Sequence, residues 1–177
     1  MSALLQALVT RFTAAEDDLN TLDAATGDGD HGSTILRGLR AAAAAPEDAV
    51  TAFRTATGGA SGSLFAQVLG ALIAAQDGTP LAEALSRAAT RIAQIGQAKP
   101  GDKTMLDALI PAAEAAPGGL PAAIAAAQAG AAATRAMAAR RGRARYVEGA
   151  GVGHVDAGAT SVVHCLQVFA EHEGIAG

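Results

Sequence analysis

The sequence predicts an all-α fold, eight helices running up and down in an antiparallel barrel or bundle, and three observations predict it. Half of the 177 residues are hydrophobic while only 3% are aromatic; alanine supplies much of the apolar content, which favours close-packed helices over strands. Apolar residues recur at steps of three and four through most of the chain. Glycine and proline mark short connections between these stretches, and short connections make consecutive helices antiparallel neighbours. The length suits one domain, residues 1–177, with a substantial core.

The first helix carries Leu4, Leu5, Leu8, Val9, Phe12, Leu19 and Leu22, with Ser2 as its expected cap, and it ends at an acidic turn. A second spans about 33–44. Pro46 opens a third, which stops at Gly58-Gly59, and Ser61 opens a fourth through Leu64, Val68, Leu69, Leu72 and Ile73. Thr79-Pro80 begins a fifth that reaches about residue 95. After Pro100-Gly101-Asp102, residues 103–116 form a sixth, and Pro117-Gly118-Gly119 separates it from a long seventh at about 120–140. A loop over 142–158 precedes the last helix, in which Val162, Val163, Leu166, Val168 and Phe169 suggest burial on more than one side. In such a fold the four odd-to-even junctions lie at the same end. These are the acidic turn, residues 58–62, residues 96–102 and residues 142–158.

A formal charge of −4 with almost no aromatic residues argues against nucleic-acid binding. Cys165 stands alone in an apolar run and is expected to be a buried thiol. The N-terminus has no positive region before its apolar residues, and Arg11 interrupts them. No signal peptide or transmembrane helix is expected, and the expected location is cytoplasmic.

Asp23, Asp28 and Asp30 fall within eight residues in Asp23-Ala-Ala-Thr-Gly-Asp-Gly-Asp-His-Gly-Ser-Thr34. Three carboxylates gathered without a counter-ion repel one another, whereas Mg²⁺ accepts a few carboxylates together with water and phosphate oxygens. Gly27, Gly29 and Gly32 are expected to supply positive φ angles that turn the carboxylates toward one another. His31 to Thr34 open a helix whose free N–H groups suit an anion. A solvated acidic turn with Ser33 or Thr34 as a helix cap is the alternative. An EF-hand is excluded, because the alternating aspartate ladder and its closing glutamate are missing.

The junction Gly58-Gly59-Ala60-Ser61-Gly62 allows main-chain N–H groups to approach an anion, or is simply a helix stop followed by a cap. Met105 suits the face of a flat base or plain core. Arg143 suits charge neutralisation on a phosphoryl group, or belongs to a solvated basic helix end with Arg135, Arg140, Arg141 and Arg145. His154 and Asp156 could pair to order their loop.

Together these segments resemble the DhaL subunit of dihydroxyacetone kinase, equivalently the nucleotide-binding domain of the single-chain kinases. The matching stretches are Leu22 through Gly32, Gly58-Gly-Ala-Ser-Gly62, Lys99-Pro-Gly-Asp-Lys-Thr-Met-Leu-Asp-Ala-Leu109, Gly142-Arg-Ala and Gly153-His-Val-Asp-Ala-Gly-Ala-Thr-Ser161, in family order. The resemblance implies an eight-helix barrel with the nucleotide, ADP or ATP, at one rim. It implies that Asp23, Asp28 and Asp30 hold Mg²⁺, as two ions, and that His31, Gly32, Ser33, Thr34, Ala60 and Ser61 contact phosphate. Gly96 and Met105 then lie on the adenine side, while Arg143, Asp156, Ala157 and Gly158 complete the pocket. Two departures from the family pattern stand out. Glu148-Gly-Ala-Gly151 replaces Gly-Glu-Arg-Ser, and Asp156-Ala157-Gly158 replaces Asp-Pro-Gly; both are expected to loosen the loop.

The implied activity is phosphoryl transfer from the nucleotide to dihydroxyacetone, or a similar small ketose, held on a separate DhaK-like subunit. Arg143 and the three aspartates are the implied catalytic set. A DhaM-like phosphocarrier of the phosphotransferase system that rephosphorylates ADP, and a homodimer, are further partners left open. Fatty-acid kinases carry a related domain, but their loop reads Asp-Gly-Asp-Thr-Gly, and His31 favours the dihydroxyacetone type. A kinase for another polyol and a non-catalytic nucleotide or metal sensor are the remaining alternatives.

Overall fold

A computed structural model describes residues 2–146 and 148–174, apart from the side chains at 2, 143 and 144. The expected cap at Ser2 and the Arg143 guanidinium therefore fall outside the described residues. Nine α-helices are present among the described residues: α1 (Ser2–Ala14), α2 (Glu16–Ala24), α3 (His31–Ala44), α4 (Ala49–Thr57), α5 (Gly59–Gln76), α6 (Leu81–Gly96), α7 (Leu106–Ala115), α8 (Leu120–Ala133) and α9 (Ala157–His172). The expected first helix is α1 and α2 together. Ala15 bends it at φ −98°, ψ 0°, while the bonds Ala15 N–H to Arg11 O and Leu19 N–H to Ala15 O, both 3.0 Å, persist across the bend.

α1 packs on α3, each helix from α3 onward packs on the next, and α9 returns to α1, closing the barrel. α2 lies against α3 and α9. The core is aliphatic and alanine-rich around a few rings. Phe12, Phe53 and Phe65 are fully buried, with Phe65 edge-on to Phe12 at 6.1 Å and stacked on Phe53 at 5.9 Å. α7 packs on α8, and Ala108 and Ala112 of the one and Ala123 and Ala127 of the other are without solvent exposure. Gly130 allows this approach, because a Cβ there would collide with the Asp107 carbonyl.

α5 is long and apolar enough to cross a membrane by length and composition alone. In the fold it is a stave of the barrel between α4 and α6, with Phe65, Leu69 and Leu72 in the core. Cys165 is buried as expected, and burial pushes its thiol pKa up.

Among the helix boundaries that differ from expectation, two stand out. The sixth helix begins at Leu106 rather than 103, since Lys103 has φ 61° and cannot continue a right-handed helix. The seventh ends at Ala133 and passes through a 3-10 turn, Thr134–Ala136, instead of reaching 140.

Candidate functional site

Asp23 lies in the last turn of α2, Asp30 immediately precedes α3, and Asp28 lies between them. The Asp23 Oδ2 atom accepts hydrogen bonds from the Asp30 N–H at 3.0 Å and the His31 N–H at 3.3 Å, which moors this carboxylate on the start of α3. One ligand oxygen from each of the three aspartates lies within 4.8 Å of the others. Of the three glycines expected to take positive φ, only Gly29 does, at 75°. Gly27 acts by size, since a Cβ there would stand 2.7 Å from Asp23 Oδ1, and Gly32 lies against the Glu16 carbonyl. This all-oxygen cluster beside a helix N-terminus fits a hard divalent cation such as Mg²⁺.

The cluster opens into a cavity of about 530 Å³ that all four odd-to-even junctions line, at one end of the barrel. Asp23, Asp28, Asp30, His31 and Thr34 line it on one side; Ala60, Ser61, Gly96, Met105, Asp156, Ala157 and Gly158 line it elsewhere. Gly32 and Ser33 are not part of this lining. The Ser33 hydroxyl donates to Glu16 Oε1 at 2.8 Å and accepts from Asn20 Nδ2 at 2.9 Å, while its N–H donates to Asn20 Oδ1 at 3.1 Å, so its polar atoms are committed to α2. Three helices, α3, α5 and α9, present their N-termini to the cavity. Their unpaired N–H groups and positive dipole ends suit phosphate. His31 Nε2 shares a 2.8 Å hydrogen bond with Ser161 Oγ. Burial lowers the His31 pKa, against the upward pull of Asp23 and Asp30.

The facing wall is organised by Lys103, which is 3% exposed. Its ammonium shares three N–H donors among four main-chain carbonyls: Thr134 at 2.8 Å, Met137 at 3.2 Å, Gly151 at 2.7 Å and His154 at 2.5 Å. Desolvation lowers its pKa, opposed by Asp156 and reinforced by Arg135. Beside it, Asp107 accepts from the N–H groups of Gly101 at 2.5 Å and Thr104 at 2.8 Å. The buried Asp102 carboxylate accepts from the Lys99 N–H at 3.1 Å and faces Arg141 Nε at 3.5 Å, and its carbonyl accepts the Arg140 N–H at 3.0 Å. Asp156 caps α9 through the Ala159 N–H at 2.7 Å and donates its own N–H to Thr134 Oγ1 at 2.9 Å. Burial raises the Asp156 pKa to about 6, with Asp107 and Asp23 adding to the rise and the Ala159 N–H and Lys103 opposing it. His154 gives this loop its carbonyl; among the described residues no bond joins its ring to Asp156. Lys103, Asp107 and Thr134 do not stand out as functional in the sequence. The first two are signalled by the density of charged residues beside Pro100-Gly101 and by their place in the Lys99 to Leu109 stretch that carries the family resemblance.

A family model for the DAK2 domain matches residues 25–171. The chain belongs to the DAK2 domain family. This DAK2 chain is 32% identical to the Escherichia coli "PEP-dependent dihydroxyacetone kinase, ADP-binding subunit DhaL", covering 90% of the chain and 89% of that protein. It is 34% identical to the L-erythrulose 1-kinase of Mycolicibacterium smegmatis over 89% of the chain, and spans about a third of that kinase, 32%. Among solved structures, the dihydroxyacetone kinase of C. freundii in complex with AMP-PNP and Mg²⁺ matches with a TM-score of 0.75 and 28% identity, covering 97% of this DAK2 chain and 33% of that one.

Proposed function

We propose that this DAK2 chain, as one domain over residues 1–177, is the Mg²⁺-nucleotide unit of a kinase that phosphorylates dihydroxyacetone or a similar small ketose held on a DhaK-like subunit. One observation carries the reading: three aspartates meet three helix N-termini in one cavity of nucleotide size. The relatives support it by name, since they act on dihydroxyacetone and erythrulose or bind ADP, and the structural neighbour holds AMP-PNP with Mg²⁺.

In this reading Asp23, Asp28 and Asp30 hold the metal, as two ions. When bound, Mg²⁺ neutralises charge on the phosphate oxygens and orients them. Asp23 is already fixed by two main-chain donors, so its carboxylate needs little reorganisation. The N-termini of α3 and α5, with Thr34, Ala60 and Ser61, cradle the phosphates. Ile92, Leu64, Gly96 and Met105 offer an apolar face to the base. Arg143 adds positive charge from the loop, and Asp156 to Gly158 close the far side. The acceptor hydroxyl and its base belong to the partner. Near full-length similarity to a subunit named as ADP-binding in a PEP-dependent kinase favours a resident ADP rephosphorylated by a DhaM-like phosphocarrier.

The test is titration calorimetry of ADP with and without Mg²⁺ on the parent and on Asp30→Ala. The variant is expected to lose the Mg²⁺-dependent part of binding while its folding stability changes by less than about 1 kcal/mol, because the residue is exposed. Unchanged ADP affinity would remove the metal assignment. Slow exchange of bound ADP for added ATP separates the resident-cofactor form from a freely exchanging one.

A further inference from the structure

Arg37 lies in α3, two turns beyond the acidic loop, with its side chain exposed and lining the cavity. Its Nε donates to the Ala56 carbonyl at 3.0 Å and its Nη2 to Thr34 Oγ1 at 3.3 Å. Ala56 is in the last turn of α4, where helix carbonyls lack partners, and two residues later the chain enters the glycine turn that starts α5. Thr34 Oγ1 in turn donates to Asp30 Oδ2 at 3.4 Å. An arginine only donates, so the Thr34 oxygen must accept from it, and the hydroxyl proton is thereby directed at the Asp30 carboxylate.

We propose that Arg37 is a positioning residue of the phosphate site. By gripping Thr34 and Ala56 at once, it sets the spacing between the acidic loop and the 58–62 turn, and through Thr34 it orients Asp30. This rests on the Mg²⁺-nucleotide reading of the cavity. The planar guanidinium is suited to the task because its donors diverge in a rigid fork, which a single ammonium cannot reproduce.

Arg37→Met and Arg37→Lys, each alone and with Thr34→Val, would be compared with the parent by calorimetry with Mg²⁺ and ADP, by thermal unfolding, and by amide exchange on the ligand-free protein. Arg37→Met is expected to weaken Mg²⁺-dependent ADP binding about tenfold, the scale on which groups orienting a metal ligand act. The melting temperature should hold, since the side chain is exposed. Its effect should shrink in the Thr34→Val background, and Arg37→Lys should recover only part of it. Without ligand, amide exchange should quicken in residues 28–34 and 57–62. Full recovery by lysine, or a lowered melting temperature with unchanged affinity, would overturn the proposal. If the parent binds no Mg²⁺-ADP, the nucleotide reading fails, and amide exchange alone decides the inference: unchanged exchange in both loops overturns it.

Discussion

Along one wall of the cavity the chemistry comes from residues 23–34, a continuous stretch in which Asp23 and Asp30 are held by groups of the same stretch, whereas the facing wall is assembled from residues 99–107, 134–141 and 150–158. In the acidic loop, Asp23 is held by N–H groups seven and eight residues away. In the facing wall, the Lys103 ammonium reaches carbonyls 31 to 51 residues away. The acidic side places its charges where solvent still reaches them; the lysine side buries its charge and surrounds it with backbone. A buried charge stripped of its partners costs far more than an exposed one, so the two walls should respond very differently to substitution.

The strongest way to break this contrast is Lys103→Met. Removing the ammonium leaves buried carbonyls without donors, and urea unfolding should show a loss of at least about 3 kcal/mol, with amide protection falling across residues 134–154. A stability equal to the parent's would mean that the cage does not hold the loop.

Asp156→Asn sharpens the contrast through pH. The Asp156 pKa rises from its ordinary 3.8 to about 6 in the folded protein. A raised carboxyl pKa contributes its full stability below 3.8, where the group is neutral in both states, and that contribution is lost as pH rises through 6. The asparagine variant stays neutral throughout. Measured without divalent ions or nucleotide, its stability relative to the parent should therefore improve between pH 4 and pH 7, by up to about 3 kcal/mol. A pH-independent difference would show that Asp156 is well solvated.

The smallest expected effect belongs to the acidic wall. Gly27→Ala places a methyl 2.7 Å from Asp23 Oδ1 and should displace that oxygen, weakening Mg²⁺ binding about tenfold, near 1.4 kcal/mol, with little change in unfolding. Calorimetry with Mg²⁺ and ADP reads this directly. Undiminished affinity would mean the loop yields without cost.

Much of the acidic wall is legible in the residues themselves. Asp23, Asp28 and Asp30 announce themselves by spacing, and glycines at 27, 29 and 32 mark a tight path. Which glycine serves which purpose is not legible, because only Gly29 needs its φ and the other two answer to neighbours that meet them in the fold. Ser33 reads as a phosphate contact until α2 is seen to occupy its hydroxyl and N–H. Lys103 reads as the first residue of a helix, whereas in the fold its φ is 61° and its ammonium is held by carbonyls remote in sequence.

Periodicity, helix direction and the clustering of four junctions at one rim follow from the chain alone, because they depend on contacts a few residues apart and on the parity of short connections. The end of α8 at Ala133, the carbonyl cage around Lys103 and the raised pKa of Asp156 belong to the tertiary structure. They depend on which distant backbone groups are brought together and deprived of water, and no local pattern of residue types encodes that desolvation.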